Sequence, residues 1–327
     1  MTEINLAGHL LRNNMNFWKN KKVLVTGASG FVGSNLLPHL KERGCEDILS
    51  FRSSEYDLTD PKEVSQMFSV HKPNLVIHLA GKVGGILANR DYCGDFFFEN
   101  IMMGTLVMEH ARLNGVEKVV SLAAGCGYPQ HLTVPFKEED FWSGLPDMNT
   151  RGYSMAKKNL IIQSEAYREQ YDFNSCILLP ANLYGPCDNF DLTSSHVLPA
   201  LVRKFIEGEE QNSSEVVVWG TGNASREFLY IEDTANAILD VCEKYNESSP
   251  LNLGTGVETT IKELVEIIKE ESGFRGEIVW DTTKPDGQKR RFYDMTQYQN
   301  KIGNIPNTTV RAGVRRTIAW YKENISG

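Results

Sequence analysis

Lys21-Lys22-Val23-Leu24-Val25-Thr26-Gly27-Ala28-Ser29-Gly30-Phe31-Val32-Gly33 passes from a short basic lead through a β-branched apolar run into three glycines spaced three residues apart. An apolar, helix-like segment follows from Asn35. Strand, glycine turn and helix in that order form the setting that a dinucleotide pyrophosphate requires. Gly27 permits a tight turn, Gly30 lets the pyrophosphate approach the backbone, and Gly33 lets the helix pack closely on its strand, with the phosphates at the helix N-terminus. The stretch predicts an α/β protein with a Rossmann-type doubly wound parallel sheet, whose first β-α-β unit runs from about Lys22 to Phe51. Pro38, beyond the first turn of the helix, is expected to bend or shorten it.

Later segments repeat the pattern. Leu75-Val-Ile-His-Leu79 is a fully apolar run of the kind that parallel sheets bury on both faces. It leads into the small-residue loop Ala80-Gly-Lys-Val-Gly-Gly85 at a carboxyl end of the sheet, where such folds bind ligands. A helix over Phe96 to Asn114, a strand over Val116 to Leu122 and a strand over Cys176 to Leu179 complete the first half. A smaller mixed lobe follows, with a helix over 198–206, a strand over Val216 to Trp219, and a helix over 260–271 opened by a Thr260 to Glu263 capping box. The expected organisation is a lead-in over 1–20 with Leu6, Leu10, Leu11 and Phe17, a dinucleotide-binding domain over 21–180, and a substrate lobe over 181–327 with some segments returning to the first domain.

The second strand ends in Ile48-Leu-Ser-Phe-Arg52-Ser-Ser-Glu55, with no acid where an NAD enzyme binds its ribose 2′-hydroxyl. A guanidinium backed by two serines suits a 2′-phosphate, which favours NADP(H), with NAD(H) the alternative. With 34 basic and 42 acidic residues the chain carries a net charge of −8, so no basic face for nucleic acid is implied. No apolar run approaches the roughly 18 residues of a membrane span, and no signal-peptide pattern opens the chain. The expected setting is the cytosol. Six scattered cysteines without a C-x-x-C pair suggest neither a disulfide framework nor a metal site, and most are expected in the core.

Tyr153-Ser-Met-Ala-Lys157 places a phenol and an ammonium one helical turn apart on one face. Such an ammonium is expected to lower the phenol's pKa, so that the tyrosine could exchange a proton with a sugar hydroxyl or carbonyl near neutral pH.

The glycine spacing, together with Tyr-x-x-x-Lys about 120 residues further on, resembles the extended short-chain dehydrogenase/reductase superfamily. A narrower resemblance rests on His78-Leu-Ala-Gly-Lys-Val-Gly-Gly85, Asn182-Leu-Tyr-Gly-Pro186 with Asp188-Asn-Phe190, Ser194-Ser-His196-Val-Leu-Pro-Ala200, Val218-Trp-Gly-Thr-Gly222, Arg226-Glu-Phe-Leu229, Gly254-Thr-Gly256 and Lys284-Pro-Asp-Gly287. From about Lys22 to Tyr321 the chain is similar to the GDP-L-fucose synthase family, whose members epimerise the two carbons flanking a 4-ketone and then reduce that ketone with NADPH. The resemblance implies Tyr153 as the acid at the carbonyl oxygen, Lys157 as its partner on the nicotinamide ribose, and Cys126 and His196 as the pair that exchanges protons at the epimerised carbons. Both of the latter have ordinary pKa values near neutrality.

The same resemblance implies a cofactor set of Gly27, Ser29, Gly30, Phe31, Val32, Gly33, Arg52, Asp57, Leu58, Leu79, Ala80, Gly81, Asn100, Pro180, Asn182 and Leu183, with Asp57 and Leu58 covering the adenine. It implies contacts to a GDP-linked sugar from Val83, Gly84, Asn182, Val197, Lys204, Trp219, Arg226 and Lys284, with Lys204 and Arg226 the candidate diphosphate cations. Trp219 is open to two readings, stacking on the guanine or filling the lobe core. A homodimer formed through a helix pair is also implied.

One position departs from the family pattern. Ala124 stands where the family has a serine or threonine, two residues before Cys126, so a hydroxyl donor to the 4-oxygen is missing. Slower reduction, epimerisation without efficient reduction, a different sugar or oxidative direction, and harmless drift all remain open. Gly125 and Gly127 are expected to leave extra room for the sugar. The alternatives kept are a nucleotide-sugar epimerase or 4-dehydrogenase with tightly bound NAD(H), acting on a related GDP-hexose or GDP-heptose, and a dinucleotide-sensing regulator.

Overall fold

β1 (Lys22–Thr26) forms at the predicted apolar run, with only its first residue partly exposed, and the turn after it feeds a helix, α1 (Phe31–Glu42), in the computed structural model, which describes residues 17–284 and 286–325. The expected lead-in residues Leu6, Leu10 and Leu11 lie outside the described residues. Phe17 packs edge-on against the fully buried Trp18, whose indole N–H donates to Glu243 at 2.6 Å.

α1 begins four residues earlier than the apolar pattern suggests, because Gly30 already adopts the extended capping conformation. Pro38 does not shorten it: the helix continues to Glu42, with Pro38 exposed and Leu36 and Leu40 turned into the core.

β2 (Asp47–Leu49), β3 (Leu75–His78), β4 (Lys118–Leu122) and β5 (Ser175–Pro180) join β1 in a six-stranded sheet completed by β10 (Leu251–Leu253), in the order β10-β5-β4-β3-β1-β2. Every pairing is parallel. β3 and β4 are buried along their whole length, as a sheet covered on both faces requires. The chain crosses from one side of β1 to the other between β2 and β3, which opens a crevice beyond the carboxyl ends of β1 and β3.

One face carries α2 (Pro61–His71), α4 (Cys93–Leu113) and α5 (Arg151–Tyr171), with the short α3 (Ile86–Asp91) ahead of α4. α4 and α5 pack closely at Gly104, where a Cβ would stand 2.5 Å from Leu160. Asn159 and Gln163 of α5 also donate to Thr105, so the helix bearing Tyr153 and Lys157 is fixed against its neighbour.

A second apolar cluster is built from β6 (Asn182–Tyr184), α6 (Val197–Glu210), β7 (Glu215–Trp219), β9 (Phe228–Tyr230), α8 (Ile261–Ser272) and the C-terminal helix Val310–Asn324. β8 (Ser225–Arg226) lies between antiparallel β11 (Thr259–Thr260) and parallel β13 (Arg290–Arg291), and β12 (Glu277–Asp281) pairs with β7. α7 (Ile231–Lys244), β10 and residues 293–302 rejoin the first core. The predicted capping box forms in full: Thr260 accepts from Glu263 N, and the Glu263 carboxylate accepts from Thr260 N.

All six cysteines are free, and only Cys45, Cys176 and Cys242 are buried. Half of them, not most, are core residues. Cys93 and Cys187 sit on exposed helix-start and turn backbone, where burial was not available to them.

Candidate active site

Four strand ends converge on one cleft of about 650 Å³. At its floor Gly27 takes a positive φ of 69°, and a Cβ there would lie 2.7 Å from Ala80 N. At Gly33 a Cβ would lie 2.3 Å from Gly27 O. Gly30 caps α1 without a side chain, and the helix has no acid in its first turn. A positive, unobstructed helix end beside a backbone cradle fits an anionic pyrophosphate.

The end of β3 supplies the next wall. Asn100 is buried, and its amide accepts from Lys82 N at 3.2 Å and donates to Lys82 O at 3.0 Å and Phe96 O at 2.7 Å. It thereby shapes the 80–85 loop from behind and does not itself line the cleft. At Gly81 a Cβ would stand 3.0 Å from Asn100 Oδ1 and 3.2 Å from Lys157 Nζ, so the loop reaches the lysine only with glycine there.

Tyr153 and Lys157 both face this cleft from α5. Lys157 is buried and donates to Leu122 O at 3.4 Å, and desolvation lowers its pKa to about 8. The expected lowering of the phenol does not occur. Burial first, then the neighbouring Cys126, pushes Tyr153 well above the ordinary phenol value. The ammonium, 6.0 Å from the ring centre, does not offset that desolvation.

Cys126 sits in the 3-10 turn Gly125–Gly127 at the end of β4. Lys158 donates to Gly127 O at 3.1 Å, and Arg291 donates to Gly125 O, so both flanks of the cysteine are clamped. Burial raises the thiol pKa, opposed by a hydrogen bond from Ser154 and the charge of Arg291. The flanking glycines do not leave room for a sugar. A Cβ at Gly125 would lie 1.7 Å from Tyr293 Oη, and one at Gly127 2.5 Å from Phe141. Those aromatic side chains already occupy the space.

His196 caps α6 with its backbone and reaches solvent at the cleft, while desolvation by the surrounding walls still lowers its pKa. Gly85 N donates to Ser194 O at 3.0 Å, tying its loop to the loop that ends β3.

Opposite, Arg226 and Arg291 are partners in the β8–β13 register and both line the cleft. Arg226 is lowered to about 10 by burial and then by the like charge of Arg291, with Asp286 opposing. Two partly desolvated guanidiniums side by side are a site for an anion.

The cleft therefore gathers Gly27, Gly30 to Gly33, Leu79 to Gly81, Val83, Gly84, Cys126, Tyr153, Lys157, Pro180, Asn182, Leu183, His196 and Arg226. Ser29 is exposed in the glycine turn, and Arg52 is exposed after β2, where it can meet a ligand extending past the cleft. Asp57 spends its carboxylate on Thr59 N and Oγ1, both at 2.8 Å, and Leu58 packs on the core. Val197 is exposed outside the cleft lining.

Trp219 does not fill the lobe core. It is 58% exposed at the end of β7, with Lys204 Nζ 5.7 Å and Lys284 Nζ 5.4 Å from its ring. These three form a cationic and aromatic cluster apart from the cleft lining.

Sequence reasoning missed Arg291 and Tyr293. The Arg290-Arg291 pair in an acidic chain was the available signal, but only the register with β8 shows which arginine faces inward. It also missed Asp188, whose Oδ2 is buried with no hydrogen-bond partner among the described residues and whose carboxyl is raised to about 7 by desolvation.

Residues 23–254 match the NAD dependent epimerase/dehydratase family. The putative GDP-L-fucose synthase 2 of Arabidopsis thaliana is 40% identical over 94% of this chain and 93% of its own length. The chain belongs to the GDP-L-fucose synthase family. Among solved structures, the GDP-L-fucose synthetase of Naegleria fowleri bound to NADP superposes with a TM-score of 0.87 at 29% identity, covering 94% of both chains. The GDP-mannoheptose C4 reductase of Campylobacter jejuni with NADP bound gives 0.86 at 30%, covering 93% of this chain and 98% of that one. The family's Tyr-x-x-x-Lys pair and glycine turn are the elements that meet in this cleft.

Proposed function

We propose that this chain is an NADPH-dependent epimerase/reductase of a GDP-4-keto sugar, epimerising C3 and C5 and then reducing C4. The observation that carries the reading is the meeting of Tyr153, Lys157, Cys126 and His196 in one cleft whose floor is the Gly27–Gly33 turn. The names of the related proteins, GDP-L-fucose synthases and GDP-sugar reductases, support the substrate class.

When bound, NADPH supplies the hydride. The chain's own residues do the rest. Gly27, Gly30 and Gly33 bring backbone and helix end to the pyrophosphate, and Arg52 offers its guanidinium to the 2′-phosphate. Lys157 and Tyr153 face the nicotinamide end, with the phenol, held protonated by burial, donating to the 4-oxygen as it gains charge. His196, held neutral, takes a proton from a carbon beside the ketone, and Cys126, held as a thiol, delivers one to the opposite face. Arg226 and Arg291 receive the diphosphate. The exposed Trp219 between Lys204 and Lys284 receives the base.

The protein acts as a homodimer in this reading. Phe98 of α4 and Ile162 of α5, 57% and 50% exposed, support a partner helix pair at that surface. Ile162→Glu should then convert the dimer to a monomer by light scattering.

The test is incubation with GDP-4-keto-6-deoxymannose and NADPH in deuterated water. Deuterium at C3 and C5 with loss of NADPH absorbance is the expected result. Label without NADPH consumption would leave an epimerase only, and neither would refute the substrate.

A further inference from the structure

Ser154 follows the catalytic tyrosine directly, yet it is fully buried and does not line the cleft. Its Oγ lies 3.1 Å from Cys126 Sγ, 3.2 Å from Cys126 O and 3.3 Å from Thr150 Oγ1. Three acceptors thus compete for one hydroxyl proton. A neutral thiol is a weak acceptor, whereas a thiolate is a charged one and takes the stronger bond. The backbone on both sides of the cysteine is fixed, because Lys158 and Arg291 hold the carbonyls of Gly127 and Gly125, so the turn keeps Sγ within reach of this hydroxyl.

We propose that Ser154 is a positioning residue for proton transfer at Cys126: its hydroxyl turns onto Sγ when the sulfur is a thiolate and turns back to Cys126 O or Thr150 Oγ1 when the sulfur is protonated. The inference rests on the reading of Cys126 as a proton-transfer group. In the balanced step, the thiol gives its proton to a substrate carbanion, forming a C–H bond and leaving S⁻. The next C–H deprotonation returns a proton to sulfur. The Ser154 proton changes its acceptor and never leaves its oxygen.

Without such a donor a thiolate in this half-buried turn is left with more of its desolvation cost uncompensated. The geometry therefore accounts for how a partly desolvated sulfur in the cleft wall can pass through its charged form.

The test needs no sugar. Alkylation of Cys126 by iodoacetamide is followed by peptide mass spectrometry between about pH 7 and 9, since only the thiolate reacts. In Ser154→Ala the rate should fall about tenfold at each pH, a displacement of about one pH unit, because a charge-assisted hydrogen bond is lost. Ser154→Thr, which keeps the hydroxyl, should stay on the wild-type curve. Thermal melting and NADPH binding, expected to be unchanged in Ser154→Ala, exclude a folding defect.

A Ser154→Ala curve that coincides with wild type, or moves to lower pH, overturns the inference. If it coincides while the wild type still turns over the GDP-4-keto sugar, only the role of Ser154 is lost. If the curve is displaced and the wild type shows no turnover, the coupling stands and the proposed reaction falls.

Discussion

Replacing Lys157 by methionine should make the empty protein more stable and its NADPH complex weaker, and the pH dependence of the gain reports the cause. Lys157 is 6% exposed, its only resolved hydrogen bond runs to Leu122 O at 3.4 Å, and no carboxylate pairs with it among the described residues. Burial lowers its pKa to about 8, against an ordinary 10.5. That difference corresponds to about 3 kcal/mol of destabilisation.

The sign follows from proton binding. Below about pH 8 the ammonium is charged in both the folded and unfolded chain, and the full cost of burying it is present. Between about 8 and 10.5 the unfolded chain holds the proton that the folded chain has released, so stability rises with pH there.

Methionine fills a similar volume without charge. Lys157→Met should therefore gain up to about 3 kcal/mol at pH 7, a rise in Tm of order 5 °C, and nothing near pH 10.5. Thermal melts from pH 7 to 10 would measure this, with and without NADPH. Saturating NADPH should raise the wild-type Tm far more than the variant's, because only wild type binds tightly. An apo gain that is absent at pH 7, or that stays constant up to pH 10, would refute the argument from burial.

Three further outcomes are expected. Ala124→Ser should speed NADPH consumption by about 10- to 100-fold, because residue 124 lines the cleft with Tyr153 and a new hydroxyl there can donate to the developing oxyanion; a stopped-flow rate equal to wild type would show that another group already serves. Gly125→Ala should cost about 2–4 kcal/mol by denaturant melt, since its Cβ meets Tyr293 Oη and Pro180 O, and Tyr293→Phe in the same chain should recover part of it. Arg52→Ala should weaken NADPH binding by about tenfold while leaving NADH affinity nearly unchanged in a fluorescence titration, the mark of a contact to the 2′-phosphate.

What the sequence made legible was what short-range chemistry controls. The Gly27–Gly33 turn, the capping box at Thr260 and the apolar run of β3 are each set by residues a few positions apart, and each forms. Tyr153 and Lys157 were legible as a pair because one helix carries both. Their joining with Cys126 and His196 came from resemblance, since no local signal links three distant segments. The failures are tertiary. Gly125 and Gly127 looked like spare volume until Tyr293 and Phe141, from well separated parts of the chain, were found in it. Lys157 was expected to acidify the phenol, but that reading weighed a neighbouring charge without the desolvation that only packing reveals. Trp219 could not be assigned to core or surface because β7 alternates, with Val216 and Val218 inward and Val217 and Trp219 outward, and the phase depends on what the strand packs against.

In the proposed reaction, one and the same cleft suits the thiol and the imidazole to opposite duties. Desolvation disfavours whichever form is charged, so it raises Cys126 and lowers His196, and at neutral pH both stand uncharged. An uncharged thiol has a proton to give, and an uncharged imidazole has a lone pair to receive one. From ordinary pKa values alone, either residue could serve as either partner; in the proposed reaction, desolvation favours the imidazole as first acceptor and the thiol as first donor. The second epimerisation needs the roles restored or reversed, and there the two residues differ. His196 opens to solvent and can exchange its proton with water, whereas Cys126 is half-buried in the cleft wall, with Ser154, Thr150, Arg291 and Lys157 near enough to stabilise its charge. In the proposed reaction the less exposed sulfur is thus the slower group to reset, and a loss of stabilisation around it should appear first in the proton transfers it makes and last in hydride transfer.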